Sequence, residues 1–346
     1  MMKAMMLTGI RQMEMKDVPD PVIKNPEDVK IRMRVVGICG SDVHYYTRGK
    51  IGSQEVIYPF AVGHEGAGEV VETGSGVTRV RKGDIVAIDP AMPCRECEQC
   101  RVGRHNTCQK LRFLGCPGQA EGCLSEYIVM PDESCFPLSG NMTPDHGAIS
   151  EPLAIGVYAV QQAGSLKGTK IAILGFGPIG MSVLLASRVQ GAEMIYVTDK
   201  IGDRLAIAGK EGAHFTGNPL KINISEQIKN AEPQGIDVVF ECCGQQEALD
   251  QAVSILKPGG KLMVVGIPEF NRWSLDVETT RRHEISIHFV RRQNDCVEST
   301  LDLMKNGSID VKNMVTHRFP FEHTKEAFDL VAAYRDGVMK AMIDFR

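Results

Sequence analysis

Over residues 1 to about 90, apolar and polar positions alternate in short runs such as Val29-Lys30-Ile31-Arg32-Met33-Arg34-Val35, broken by proline and glycine. A period of two bounded by turn formers predicts an all-β region. Gly66-Ala67-Gly68-Glu69-Val70-Val71 leads to a turn at Gly74-Ser75-Gly76, and Lys82-Gly83-Asp84 is a turn ahead of a buried strand, Ile85–Ile88. From Lys170 the pattern changes to apolar runs alternating with helical periodicity. Strands are expected at Lys170–Leu174, Met194–Thr198, Ile236–Glu241, Lys261–Gly266 and Glu284–Val290, and helices at Arg204–Gly212, Ile224–Ala231 and Gln246–Leu256, with a turn at Pro258-Gly259-Gly260. Such repetition predicts an α/β domain with a doubly wound parallel sheet. Helices are further expected at Ala154–Ala163, Val297–Asn306 and Phe328–Arg335, the last two after the chain returns to its first domain. The expected division is residues 1–153 with 292–346, and 154–291.

A chain of 346 residues exceeds one comfortable core, which agrees with two domains. With 43% hydrophobic and 24% charged residues it reads as a globular protein, and a net charge of −4 without a basic run argues against nucleic acid as partner. The longest apolar stretch, Ile171–Ala186, is broken by Gly175, Gly177, Pro178 and Gly180, so no membrane span is expected. The N-terminus lacks the features of a secretion signal, and eleven cysteines then point to thiols in a reducing, cytoplasmic setting.

Four of those cysteines, Cys94, Cys97, Cys100 and Cys108, have the spacing of a tetrahedral tetrathiolate zinc site in a lobe over 90–112. With every corner filled, such a metal is structural. Cys39, His64 and Glu65 offer a sulfur, a nitrogen and an oxygen beside glycines, a donor set suited to a catalytic divalent metal with one open position. The same residues could be a buried cysteine and a satisfied core histidine. Glu151, just before Pro152, is either a first-turn acid at a helix dipole or a further ligand. The remaining cysteines, Cys116, Cys123, Cys135, Cys242, Cys243 and Cys296, read as packing residues, with Cys116 near the substrate.

Gly175-Phe176-Gly177-Pro178-Ile179-Gly180 joins a strand to a helix, the context in which a glycine-rich turn holds a pyrophosphate at a helix N-terminus. Asp199 ends the next strand, where a carboxylate can meet the adenosine ribose and repel a 2′-phosphate. NAD is therefore favoured over NADP, although Lys200 and Arg204 lie close enough to keep NADP open.

Together these motifs resemble the zinc-containing medium-chain alcohol dehydrogenases over essentially the whole chain. Cys39-Gly40-Ser41-Asp42-Val43-His44-Tyr45-Tyr46, Gly49-Lys50-Ile51-Gly52 and Val315-Thr316-His317-Arg318-Phe319-Pro320 are most similar to the sorbitol and xylitol dehydrogenase branch. The resemblance implies a GroES-like β-rich catalytic domain and a Rossmann domain. It implies a catalytic zinc on Cys39, His64 and Glu65, with Glu151 at the remaining corner directly or through water, and a second, structural zinc. Asp42 would orient the ligand histidine, Ser41 would take the substrate proton and His44 would pass it on. Tyr45, Phe113, Glu151 and Arg291 would contact a polyol; Val290-Arg291-Arg292-Gln293 departs from the branch's pattern there, which leaves the exact polyol open. The implied reaction is reversible oxidation of a secondary alcohol to a ketose by NAD in a homotetramer or homodimer. Rivals are the same chemistry on threonine, butanediol or a sugar-alcohol phosphate, and a non-catalytic NAD-binding sensor.

Overall fold

The computed structural model describes residues 1–346 and divides into two compact units, Met1–Glu151 with Val297–Arg346, and Pro152–Cys296. In the first unit the strand Asp28–Gly37 is the organising element. It pairs on one side with Glu65–Thr73, which continues to Ile85–Ile88 and Cys135–Pro137. On the other side its first half meets Tyr127–Pro131 and its last residues meet Lys340–Asp344, which in turn pairs with Val315–Pro320. One face of this sheet carries Ile31, Met33, Val36, Val70, Val86 and Ile88 into a core shared with Leu7, Phe328 and Ile343. Met2–Gly9 pairs with Gln12–Val18 and Phe60–Ala61 in a separate three-stranded sheet.

The second unit holds a six-stranded parallel sheet in the order Phe215–Gly217, Met194–Thr198, Lys170–Leu174, Ile236–Glu241, Leu256–Val264, Ser286–Phe289. Strand order reverses between Lys170–Leu174 and Ile236–Glu241, the crevice where doubly wound folds place a dinucleotide. The central strands are apolar and buried on both faces, as a sheet covered by helices requires.

Several expectations are corrected. The segment up to residue 90 is not all β, because Gly40–Arg48 is a helix. Its tyrosines, threonine and valine are weak helix formers. Burial of Tyr45 and Tyr46 outweighs that, Asp42 accepts from the Cys39 backbone N–H at the start, and Gly49 closes it at φ 68°. Glu151 is not in a first turn: one helix runs Pro144–Ala163, with Pro152 inside it. Pro258-Gly259-Gly260 lies within the strand Leu256–Val264, beside a register irregularity at Ile236/Val238. The helix expected at Phe328–Arg335 is Thr324–Ala332.

At the glycine turn, a Cβ on Gly180 would lie 2.1 Å from the Gly175 carbonyl oxygen, a backbone atom that cannot give way. Gly180→Ala should therefore lower stability by about 1–3 kcal/mol and weaken dinucleotide binding, read by denaturant melts and cofactor titration.

Candidate functional site

Cys39 follows the end of the central strand Asp28–Gly37, and Glu65 begins the neighbouring strand, directly opposite Gly37. His64 is the residue before it. Donor atoms of Cys39, His64 and Glu65 all lie within 4.8 Å of one another. Asp42, fully buried on the first turn of Gly40–Arg48, ties the three positions together. Its Oδ2 accepts from the Cys39 N–H at 3.1 Å, its Oδ1 from the Gly63 N–H at 3.1 Å, and the same Oδ1 lies 3.2 Å from His64 Nδ1. An Nδ1 held by a carboxylate leaves Nε2 as the free lone pair for a metal.

The electrostatics also favour a cation. Burial lowers the His64 pKa, but the charges of Asp42 and Cys39 outweigh it and raise it well above the usual value. Glu151 is 4% exposed, and its Oε2 has no hydrogen-bond partner. Burial pushes its pKa up to about 7, with Glu65 and Asp89 adding to the rise against His64 and Lys340. An orphaned, buried carboxylate oxygen is costly unless a metal, its water or a substrate hydroxyl meets it. The donor set and the orphan oxygen thus fit a catalytic zinc.

Ser41 and His44 stand half-buried on the same helix, three residues apart and so on one face. Phe113 packs its ring against His64, with centroids 5.4 Å apart. The Tyr45 hydroxyl donates to Gln54 Oε1 at 3.3 Å and lies 3.8 Å from Cys116 Sγ, so Cys116 neighbours an expected substrate residue. Arg291 is exposed and belongs to the second unit.

Sequence reasoning missed Lys340. This lysine is 2% exposed, and its Nζ donates to both Glu65 oxygens, at 2.7 and 2.6 Å, and to the Ile38 carbonyl at 3.2 Å. A signal was present: Val338-Met339-Lys340-Ala341-Met342-Ile343 is an apolar run holding one charge, which must find a partner when the strand is buried.

In the lobe, Sγ atoms of Cys94, Cys97, Cys100 and Cys108 also lie within 4.8 Å of one another, unpaired by disulfides. Backbone N–H groups of Cys100 and Gln109 bring Cys97 down to about 6, the N–H of Glu96 lowers Cys94, and burial pushes Cys100 up to about 12. Backbone dipoles thus ease ionisation at two of the thiols, and four sulfurs in one cluster fit zinc.

In the second unit Gly175 has φ 94°, and a Cβ there would lie 2.7 Å from that of Cys243. Gly177 precedes the helix Pro178–Val189, whose Pro178 lacks an N–H that would be unpaired anyway. Phe176 is buried, and Ile179 is half-buried in the first turn. Asp199 accepts from the backbone N–H of Phe176 at 2.7 Å and of Ile201 at 2.8 Å, fastening the glycine turn to the next strand. Arg204 is buried, with its guanidinium beside Gly177, whereas Lys200 is exposed.

Residues 25–140 match the family model of the alcohol dehydrogenase GroES-like domain and residues 178–306 that of zinc-binding dehydrogenases. Sorbitol dehydrogenase of Bacillus subtilis is 35% identical over 343 residues, covering 99% of this chain and 97% of the relative. An oxidoreductase of unknown specificity from Escherichia coli has a similar structure, with a TM-score of 0.93, 32% identity and 100% of both chains covered. 2R,3R-Butanediol dehydrogenase of Bacillus subtilis follows the same fold at a TM-score of 0.89, 28% identity and 99% coverage of each chain.

Asp42→Asn preserves shape and removes the carboxylate that orients His64. Zinc affinity at the Cys39 site should fall by about 10–100-fold, measured by chelator competition. Unchanged affinity would leave Asp42 a helix cap only.

Proposed function

The chain belongs to the zinc-containing medium-chain alcohol dehydrogenases, and from that premise we propose that it oxidises a secondary alcohol of a polyol, of the sorbitol or xylitol type, reversibly to a ketose. The observation that carries this reading is the convergence of Cys39, His64 and Glu65 beside a buried, unpartnered oxygen of Glu151. Similarity to a sorbitol dehydrogenase over nearly the whole chain supports the polyol class.

In this reading zinc supplies Lewis acidity toward the hydroxyl, and the nicotinamide supplies a hydride acceptor. The chain's own residues position and move protons. Cys39, His64 and Glu65 hold the catalytic ion, with Glu151 at the remaining corner directly or through water. Asp42 fixes the His64 ring. Ser41 takes the proton of the substrate hydroxyl and His44 carries it onward. Tyr45, Phe113 and Arg291 meet the substrate. Gly175–Gly180 cradles the pyrophosphate, and Asp199 takes the adenosine ribose, which favours NAD; buried Arg204 and exposed Lys200 are the groups through which NADP would bind. Cys94, Cys97, Cys100 and Cys108 hold a second, structural zinc. Eleven cysteines without a disulfide among them fit a cytoplasmic setting. No helix is long and apolar enough to cross a membrane. The fold's likeness to a butanediol dehydrogenase supports, as a second reading, the same chemistry on a smaller secondary alcohol; threonine and sugar-alcohol phosphates belong to the same test.

Self-association is proposed at the strand Ser286–Phe289, the edge of the parallel sheet. Its unpaired backbone and the Phe289 ring, 68% exposed and stacked on Trp273, suit an identical strand of a second copy, giving a homodimer and, by pairing of dimers, a homotetramer.

Initial rates with sorbitol, xylitol, ribitol, galactitol, butanediol and threonine, each with NAD and NADP, should reveal NAD reduction that chelators abolish and zinc restores. No zinc-dependent rate with any polyol would sink the polyol reading. Phe289→Glu should shift the chain toward monomer in light scattering; an unchanged mass would place the interface elsewhere.

A further inference from the structure

Lys340 and Glu65 lie on opposite sides of the central strand, since Gly37 pairs with Glu65 on one flank and with Met342 on the other. The lysine therefore reaches Glu65 over Gly37. A Cβ at Gly37 would stand 2.4 Å from Glu65 Oε2, so only glycine leaves room for the carboxylate there. The ammonium has three N–H groups and three acceptors, both Glu65 oxygens and the Ile38 carbonyl. Its binding capacity is fully used. Both partners are essentially sealed from water, Glu65 at 1% and Lys340 at 2% exposed. Glu151, by contrast, keeps a buried oxygen with no partner.

A divalent ion between Cys39, His64 and Glu65 meets a positive charge that already occupies one of its three donors. It must share Glu65 with that charge, and it is repelled by it. We propose that Lys340 is a positioning residue that competes with zinc for Glu65, holding this carboxylate as its own counter-ion and keeping the grip on the metal loose. Glu65 then divides its time between lysine and metal, and Glu151 is the carboxylate free to act at the open corner. If Lys340 served only to hold Glu65 in place for the metal, its removal would have the opposite effect on zinc affinity.

This inference rests on the zinc reading of the Cys39 site, and the experiment separates the two. Zinc affinity is measured on the full chain by competition with a chromophoric chelator. The class of zinc lost in Cys39→Ser is assigned to this site and that remaining to the four-cysteine lobe. Absence of the first class in the unsubstituted protein would sink the zinc reading itself. Given that class, Lys340→Met should bind its zinc about tenfold more tightly or better. Lys340→Gln, which can still donate to Glu65 but carries no charge, should lie between the two. In a Glu65→Gln background, substituting Lys340 should raise zinc affinity by clearly less, because the competition through that carboxylate is gone and only the charge repulsion remains. Weaker or unchanged binding in Lys340→Met, or the same gain with Glu65→Gln, would overturn the proposal. For a variant that folds only with metal, the dependence of its melting midpoint on zinc concentration gives the same comparison.

Discussion

Gathering several carboxyl groups where water hardly reaches them is the constraint on which the first unit depends. Asp42, Glu65 and Glu151, all buried, crowd one region, and the positive charge available there comes from Lys340 and, when protonated, His64. Isolated buried charges are expensive, so each must be matched in place. The fold meets this by bringing strand ends to one level. Glu65 sits opposite Gly37, Lys340 opens the strand on the far flank, and Asp42 turns back from the following helix to bind two backbone N–H groups. A metal ion entering this arrangement joins a charge pattern that is already balanced in part. Its binding strength is therefore set by what it displaces as much as by what it touches.

The second unit solves a different problem with different means. Its glycine turn works by the absence of side chains: Gly175 abuts Cys243, Gly180 abuts the Gly175 carbonyl, and Asp199 binds the Phe176 N–H. Charge there is arranged by backbone direction, at the start of a helix, and Asp199 and Arg204 sit at its margin. The four-cysteine lobe is a third case. Backbone N–H groups favour thiolates at Cys94 and Cys97, and burial opposes ionisation at Cys100.

Much of this was legible in the sequence because it is local. The cysteine spacing, the strand–glycine–helix turn and the alternating apolar runs each lie within a few residues, and the parallel sheet follows from their repetition. The helix Gly40–Arg48 was hidden because its stability comes from burying Tyr45 and Tyr46 against distant residues, including Phe328, whose ring lies 5.4 Å from that of Tyr46. Glu151 was misplaced for a related reason: Pro152 marks a helix start in most contexts, yet here the helix runs through it. Lys340 was missed because nothing near it in sequence supplies its partner. Charge patterns announce themselves when both members are close; a buried pair separated by most of the chain leaves only an oddity in an apolar strand.

That separation has a bearing on how the protein is made. Lys340 follows Glu65 by 275 positions, and the whole unit Pro152–Cys296 is synthesised between them. A nascent chain can complete the intervening sheet early, because its strands pair with near neighbours. The carboxylate cannot be closed off from water until the ribosome delivers its lysine. Completion of the first unit is thus timed by contacts that span most of the chain, the pairing of Lys340 with Glu65 among them.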